Sequence, residues 1–266
     1  VKQQVSELMK RIRQGRLPSS ETIVEETFRE LGFTAESVPT HRARREFNDI
    51  LYLVWKRTLL VLERYEENTY ATGIPAELVQ LTPEDIKQAE RVNRSKGFAE
   101  ATKSILQAWY PYLREAFLSI SQSRKTRGGK DFELQFGRLL DLAGIPYQKI
   151  ARTYRVDFMM PSDDVFLSNP TAAALASAKR TLRERWREVV EELVKMRSPN
   201  IFLITADDEI SKGHVQEICG QHRIHLVVWD AVKQSKFPKE PLVLSYSEWV
   251  NKRLPALEQF WPKAKS

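Results

Sequence analysis

The first 120 residues carry apolar positions at helical spacing and no alternating run that would make a strand. In "SSETIVEETFRELGF", Ile23, Val24, Phe28 and Leu31 share a face, with Ser20 as the expected N-cap and Gly32 as the stop. "REFNDILYLVWKRTLLVLERYEEN" sets Phe47, Ile50, Leu51, Val54, Leu59 and Leu62 on a broad apolar face, widened by Trp55 and Leu60. "LTPEDIKQAERV" opens with Thr82 as cap and Pro83 at the first helical position. "FAEATKSILQAWYPYLREAFLSI" keeps the helical period, with Pro111 expected to kink or break it. Residues 1–120 therefore predict an all-α domain.

From residue 121 the pattern changes, and "SRKTRGGK" marks the transition. "DFELQFGRLLDLAGIPY" predicts an amphipathic helix carrying Phe132, Phe136, Leu139 and Leu140, ended by Gly144 and Pro146. "YQKIARTYRVDFMMP" alternates as one or two strands, with Val156, Phe158 and Met160 on one side and Arg155, Asp157 and Met159 on the other. "TAAALASAKR" fits a helix by propensity and a buried strand by its position before a helix, so both readings stay open. "NIFLITA", "SKGHVQEICGQH" and "IHLVVWD" read as strand, helix and parallel strand, a βαβ unit. "SYSEWVNKRLPALEQFW" closes the chain as a helix, with Ser245 and Glu248 at capping-box spacing. The span 121–266 thus predicts an α/β domain, a mixed sheet with helices against it.

A chain of 266 residues with 42% hydrophobic and 29% charged content can bury a sizeable core and is not disordered. No apolar run reaches membrane-spanning length, and "VKQQVSELMKRIRQG" lacks the apolar region of a signal peptide. The single cysteine, Cys219, excludes an intrachain disulfide and fits a reducing cytoplasm; on an apolar helical face it reads as core filler. Net charge is +7, and its distribution says more than its total. "SRKTRGGK" holds four basic residues in eight, and five more stand between Lys179 and Arg187, a pattern suited to a DNA track.

The four histidines, His41, His214, His222 and His225, show no zinc spacing, and no phosphate-binding glycine loop or serine-hydrolase elbow occurs. Carboxylates and a lysine remain. Phosphodiester hydrolysis needs a metal on two or more carboxylates, a water, and positive charge near the scissile phosphate. Asp157 lies among apolar strand residues, where propensity and burial disfavour an aspartate. If "ALASAK" is a strand, Ser177 and Lys179 share a face opposite Ala176 and Ala178. The following helix has Leu182, Trp186, Val189, Val190, Leu193 and Val194 as its buried stripe. Glu192 borders that stripe, whereas Glu191 faces solvent. A surface ion pair with Lys195 is the structural alternative for Glu192.

This block resembles type II restriction endonucleases of the CCGG- and CCWGG-recognising group in the PD-(D/E)xK nuclease superfamily. The resemblance runs from about Ser123 to Leu193. In that group the superfamily glutamate has moved from the strand to the following helix; here Ser177-Ala178-Lys179 is followed by Glu192 at the group's spacing. Val156 stands where the superfamily name has proline, and Ser177 replaces the acidic residue two before the lysine. The resemblance implies a PD-(D/E)xK core, a central mixed sheet flanked by helices, behind an N-terminal helical domain that clamps DNA or touches flanking bases. It implies Asp157 and Glu192 as ligands of Mg²⁺, Lys179 as the stabiliser of the phosphorane, and Glu133 as an additional ligand or a solvated helix charge. It assigns Arg183, Glu184 and Arg185 to base readout, and Arg124, Arg127 and Lys130 to the DNA backbone.

Arginine can donate a bidentate pair to guanine and glutamate can accept from cytosine N4, so R-E-R suits adjacent C·G pairs. Arginines also sit poorly at a helix N-terminus, where the dipole favours anions. The implied function is Mg²⁺-dependent cleavage of both strands of a palindrome containing CCGG, by a cytoplasmic homodimer or a tetramer acting on two sites, leaving 5′-phosphates. CCWGG or CCNGG specificity, another PD-(D/E)xK repair or junction nuclease, and a non-catalytic DNA-binding regulator are the alternatives.

Overall fold

The computed structural model describes residues 1–149, 156–182, 186–196 and 198–262. Six helices come first: α1 (Lys2–Arg13), α2 (Ser20–Glu30), α3 (Thr40–Arg45), α4 (Phe47–Leu81), α5 (Pro83–Lys96) and α6 (Phe98–Leu142). Ser19, one residue earlier than expected, caps α2, its hydroxyl accepting from the Thr22 N–H at 3.2 Å. Thr82 precedes Pro83 at the start of α5, but its hydroxyl turns back, donating to the Leu78 carbonyl and accepting from Trp109 Nε1.

The break expected as one outcome at Pro111 does not occur in α6. Pro111 and the Gly128–Gly129 pair lie inside a continuous 45-residue helix and do not end it. An internal proline costs about 3 kcal/mol and a glycine about 1 kcal/mol relative to alanine. Tertiary contacts offset this: Trp109, Tyr112, Leu113, Ala116 and Ile120 join a core with Val5, Leu8, Met9 and Ile12 of α1 and Tyr70, Ile74 and Leu78 of α4. Pro75 is carried inside α4 in the same way.

The second half holds a five-stranded sheet in the order β1 (Phe158–Met160), β2 (Ala174–Lys179), β3 (Ile201–Thr205), β4 (His225–Val228) and β5 (Val243–Ser245). The first pair is antiparallel, Phe158 opposite Ala176, and the remaining three pairs are parallel. "ALASAK" is therefore a strand. It is buried up to Ser177 and Ala178, and Lys179 emerges at its carboxyl end.

Between the strands lie α7 (Asp163–Ser168), α8 (Trp186–Lys195), α9 (Lys212–Val215) and α10 (Asp230–Lys236). α9 runs on as a wider π-type turn over Gln216–Gln221. The chain closes through α11 (Tyr246–Glu248), a second π-type turn at Trp249–Arg253, and α12 (Leu254–Glu258). Ser245 and Glu248 form the expected reciprocal capping box. On α8, Trp186, Val190 and Leu193 are buried as expected, but Val194 is exposed. Leu60 of α4 is exposed too.

The chain forms two compact units that interleave in sequence, Val1–Ile23 with Thr58–Gly128 and Val24–Arg57 with Gly129–Ser266. The first is all helical. In the second, Phe28, Phe47, Ile50 and Val54 join Phe132, Phe136, Leu140, Phe158, Phe202, Tyr246 and Trp249 in one core. These units differ in two respects from the division expected near residue 120: the boundary within α6 falls after Gly128, and Val24–Arg57 lie with the sheet. A bidentate pair between Arg44 and Glu258 at 2.7 Å and 2.9 Å ties α3 to α12 within this unit.

Candidate active site

Antiparallel pairing brings Asp157, one residue before β1, level with Ser177 of β2, and the Asp157 N–H donates to the Ala176 carbonyl. On β2 the alternation of side chains puts Ser177 and Lys179 on one face. Three donors then converge on Asp157 Oδ2: Ser177 Oγ, the Ala178 N–H and Lys179 Nζ, each at 2.8 Å. Asp157 is a half-buried carboxylate held by a fixed set of hydrogen bonds, as a charge near a core must be.

Glu133 reaches the same lysine from the last turns of α6, Lys179 Nζ standing 3.4 Å from Oε1. Gly137, one turn on, allows this approach. A Cβ there would meet Tyr147 Oη at 3.0 Å and the Phe158 ring at 3.2 Å, so a larger residue would need both side chains to give by a few tenths of an ångström. Gly144, at φ 60°, ends the turn after α6 in a left-handed conformation. Burial, and then the neighbouring Asp157 charge, push the Glu133 carboxyl above the usual range; Lys179 pulls against both. For Lys179, burial opposes the charged form, but Asp157 and Glu133 together hold the ammonium above its ordinary value. A lysine that stays protonated between two carboxylates can meet developing negative charge on a phosphate.

Lys179 and Thr205 are register partners at the carboxyl ends of parallel strands, the edge at which open α/β sheets place their ligands. Asp207 stands just beyond Thr205. Its Oδ2 accepts from the Leu182 N–H at 2.8 Å, its Oδ1 from the Glu209 N–H at 2.9 Å, and its own N–H donates to Thr205 Oγ1. It fixes the chain three residues after Lys179, immediately before the R-E-R triplet. Asp207 carries no motif in the sequence, where its only signal is an aspartate following a buried parallel strand.

Glu192 is half-buried on α8, Glu191 is exposed, and Trp186 is core. Glu192 has a partner within the protein. Arg183, Glu184 and Arg185 lie outside the described residues. Arg124 pairs at 2.5 Å with the buried Glu66, and Arg127 donates to the Pro18 carbonyl at 2.6 Å. Those two guanidinium groups are thus committed to protein partners, while Lys130 is exposed and has a partner of its own. Cys219 is buried, and burial pushes its thiol up to about 12, as a core residue.

Among the described residues no cluster of three or more His, Cys, Asp or Glu side chains forms a metal cage. Hard carboxylate oxygens at one or two positions do match the chemistry of Mg²⁺, which keeps several of its waters. The oxygens of Asp157 and Glu133 around Lys179 supply that donor set.

Residues 98–249, more than half of the chain, match the family described as EcoRII C terminal. The chain belongs to that family. Glu133, Asp157, Lys179 and Glu192 all fall in the span by which this EcoRII C-terminal family member is matched. It is 33% identical over 151 residues to the type II restriction enzyme SsoII of Shigella sonnei, covering 52% of this chain and 49% of the relative. The chain thus spans about half the length of the curated relative it matches.

Among solved structures, it is similar to metal-depleted Ecl18kI in complex with uncleaved DNA. The TM-score is 0.83 at 22% identity, over 100% of this chain and 88% of the other. The same protein with uncleaved, modified DNA gives 0.85 at 23%, over 100% and 87%. The PspGI restriction endonuclease–substrate DNA complex gives 0.56 at 20%, over 92% and 93%. These likenesses concern the fold: a five-stranded mixed sheet flanked by helices, as in PD-(D/E)xK restriction endonucleases, with a large helical N-terminal region. Among the described residues no helix is long and apolar enough to cross a membrane.

Proposed function

We propose that the chain is a type II restriction endonuclease, a site-specific deoxyribonuclease that hydrolyses both strands of double-stranded DNA with Mg²⁺. The observation that carries this reading is the Asp157–Lys179–Glu133 cluster at the carboxyl edge of β2, inside the matched family span. Asp157 and Glu192 would hold the ion, with Glu133 as a further oxygen donor. When bound, it supplies Lewis acidity and lowers the pKa of water. Lys179 stays charged and stabilises the pentavalent phosphate. Ser177 and the Ala178 N–H hold the Asp157 carboxylate in place, so it need not reorganise when substrate arrives. In-line attack on the scissile phosphate leaves a 5′-phosphate.

Arg183, Glu184 and Arg185 would read adjacent C·G pairs, giving a palindrome that contains CCGG, or CCWGG or CCNGG; each good bidentate contact is worth about 1–3 kcal/mol of discrimination. Their place in the sequence supports this, since Asp207 pins the backbone just before them. Lys130, with Arg124 and Arg127 once released from their protein partners, would track the phosphates. The helical unit, Val1–Ile23 with Thr58–Gly128, would clamp the duplex, and the enzyme would act in the cytoplasm as a homodimer, each copy cutting one strand. The test is Asp157→Asn: a duplex carrying the site should still be bound but not cut with Mg²⁺. Cutting at the parent rate would remove the assignment.

A further inference from the structure

Beside the Asp157–Lys179–Glu133 cluster lies a second lysine, Lys149, that the mechanism leaves unused. The backbone before it is fixed against β1: the Gln148 N–H donates to the Met159 carbonyl at 2.8 Å, and the Gln148 carbonyl accepts the Met159 N–H at 3.0 Å. The Gln148 side chain turns to α7, where its Oε1 accepts from the Asp163 N–H at 2.8 Å. Lys149 leaves on the other face. Its stem lies with Tyr147 and Phe158 over Gly137 of α6, where a Cβ would stand 3.6 Å from Lys149 Cε. Gly137 is four residues from Glu133, about 6 Å along the helix. The end of the stem is thus about one turn of α6 from the carboxylate that bonds Lys179.

Lys149 is exposed, and its ammonium makes no ion pair or hydrogen bond with any described residue. Two acids stand within electrostatic range. Burial raises the Glu133 and Asp141 carboxyls, and Lys149 is one of the charges that pull them back. Neither acid holds it, because Glu133 bonds Lys179 and Asp141 bonds the Tyr147 hydroxyl. A cation on a packed stem, with no protein partner to give up, loses little on meeting a ligand. Beside a site for phosphodiester hydrolysis the fitting ligand is a phosphate oxygen of the DNA backbone. Lys179 takes the scissile phosphate in that reading, which leaves a neighbouring phosphate for Lys149.

We infer that Lys149 contacts a backbone phosphate next to the scissile one, seating the strand being cut against Asp157 and Glu133. This rests on the nuclease reading and adds to it a residue that positions the substrate. The test uses the full chain and a short duplex carrying CCGG and CCAGG. Without Mg²⁺, Lys149→Ala should flatten the slope of log affinity against log salt by about 1 per bound copy. With Mg²⁺, single-turnover cleavage should fall at least about tenfold, because the strand is seated less well. Lys149→Arg should restore both. Lys239→Ala should change neither: Lys239 is exposed before the start of β5, at the sheet edge opposite the site.

An unchanged salt slope in Lys149→Ala would overturn the inference even if cleavage fell. A lysine that only balances Glu133 and Asp141 would shift the pH profile and leave the slope alone. An equal change in Lys239→Ala would overturn it too. If Lys149→Ala fails to fold, Lys149→Gln carries the same test. A flattened slope in a chain that binds DNA without cutting it would keep the phosphate contact and sink the nuclease reading. Parent-like cutting with an unchanged slope would do the reverse, and a chain that neither binds nor cuts would sink both.

Discussion

Replacing Lys179 with methionine removes the only cation bonded to both Asp157 and Glu133 among the described residues while keeping most of the stem's volume. At 2.8 Å and 3.4 Å, with an effective dielectric near 20, its attractions come to about 6 and about 5 kcal/mol before desolvation. Desolvation of the ammonium and solvent screening of a partly exposed group reduce the net to a few kcal/mol. Asp157 keeps the Ser177 hydroxyl and the Ala178 N–H, so Lys179→Met should fold. The loss belongs to the chemical step: single-turnover cleavage with Mg²⁺ should fall by at least about 10³-fold, near 4 kcal/mol of barrier. DNA affinity measured without metal should stay close to the parent's. With the cation gone, the Glu133 carboxyl should move further upward, because burial and the Asp157 charge are then opposed, among the described residues, only by Lys149. A cleavage rate within about threefold of the parent, under 1 kcal/mol of barrier, would refute this use of the lysine. So would a fall in affinity that accounts for the whole loss.

Glu133 gives a pH prediction. The folded chain holds this proton more tightly than the unfolded chain, so the residue weakens the fold as pH rises from the ordinary carboxyl range through its raised value. Glu133→Gln should flatten that part of the stability profile in denaturant titrations, and the acid limb of the cleavage profile should disappear with it. Asp207→Ala leaves the Leu182 and Glu209 N–H groups without their acceptor, a cost of about 1–3 kcal/mol by thermal or urea unfolding. It should also relax sequence selectivity, read as cutting at sites with one altered base pair; unchanged selectivity would make Asp207 merely structural. Cys219, with its thiol pushed up to about 12, should resist alkylation at pH 8 until the chain is unfolded.

The local parts of this architecture were legible where a short pattern decides them. "NIFLITA" and "IHLVVWD" are β3 and β4, paired parallel, and the capping box at Ser245 is present. Phe132, Phe136, Leu139 and Leu140 are the buried face of α6. Long-range packing was not legible. Pro111 and Gly128–Gly129 signal breaks locally, yet contacts with α1 and α4 carry α6 past the proline. No periodicity indicated that Val24–Arg57 would lie with the sheet, since that depends on Phe47 meeting Phe136, Tyr246 and Trp249, far away in sequence.

At the site, strand alternation put Ser177 and Lys179 on one face, and the aspartate out of place in an apolar strand stood out. The meeting of Glu133 with Lys179 depends on how closely α6 approaches β1 at Gly137, which only three-dimensional packing decides. Asp207 acts through two backbone N–H groups and leaves no motif.

The most direct measurement is to incubate the purified chain with a sequenced plasmid, with and without Mg²⁺, and sequence every cut end. Cutting is expected only with Mg²⁺, at one recurring palindrome containing CC and GG, with 5′-phosphates on both strands. Intact plasmid in Mg²⁺, or ends that share no sequence, would contradict it.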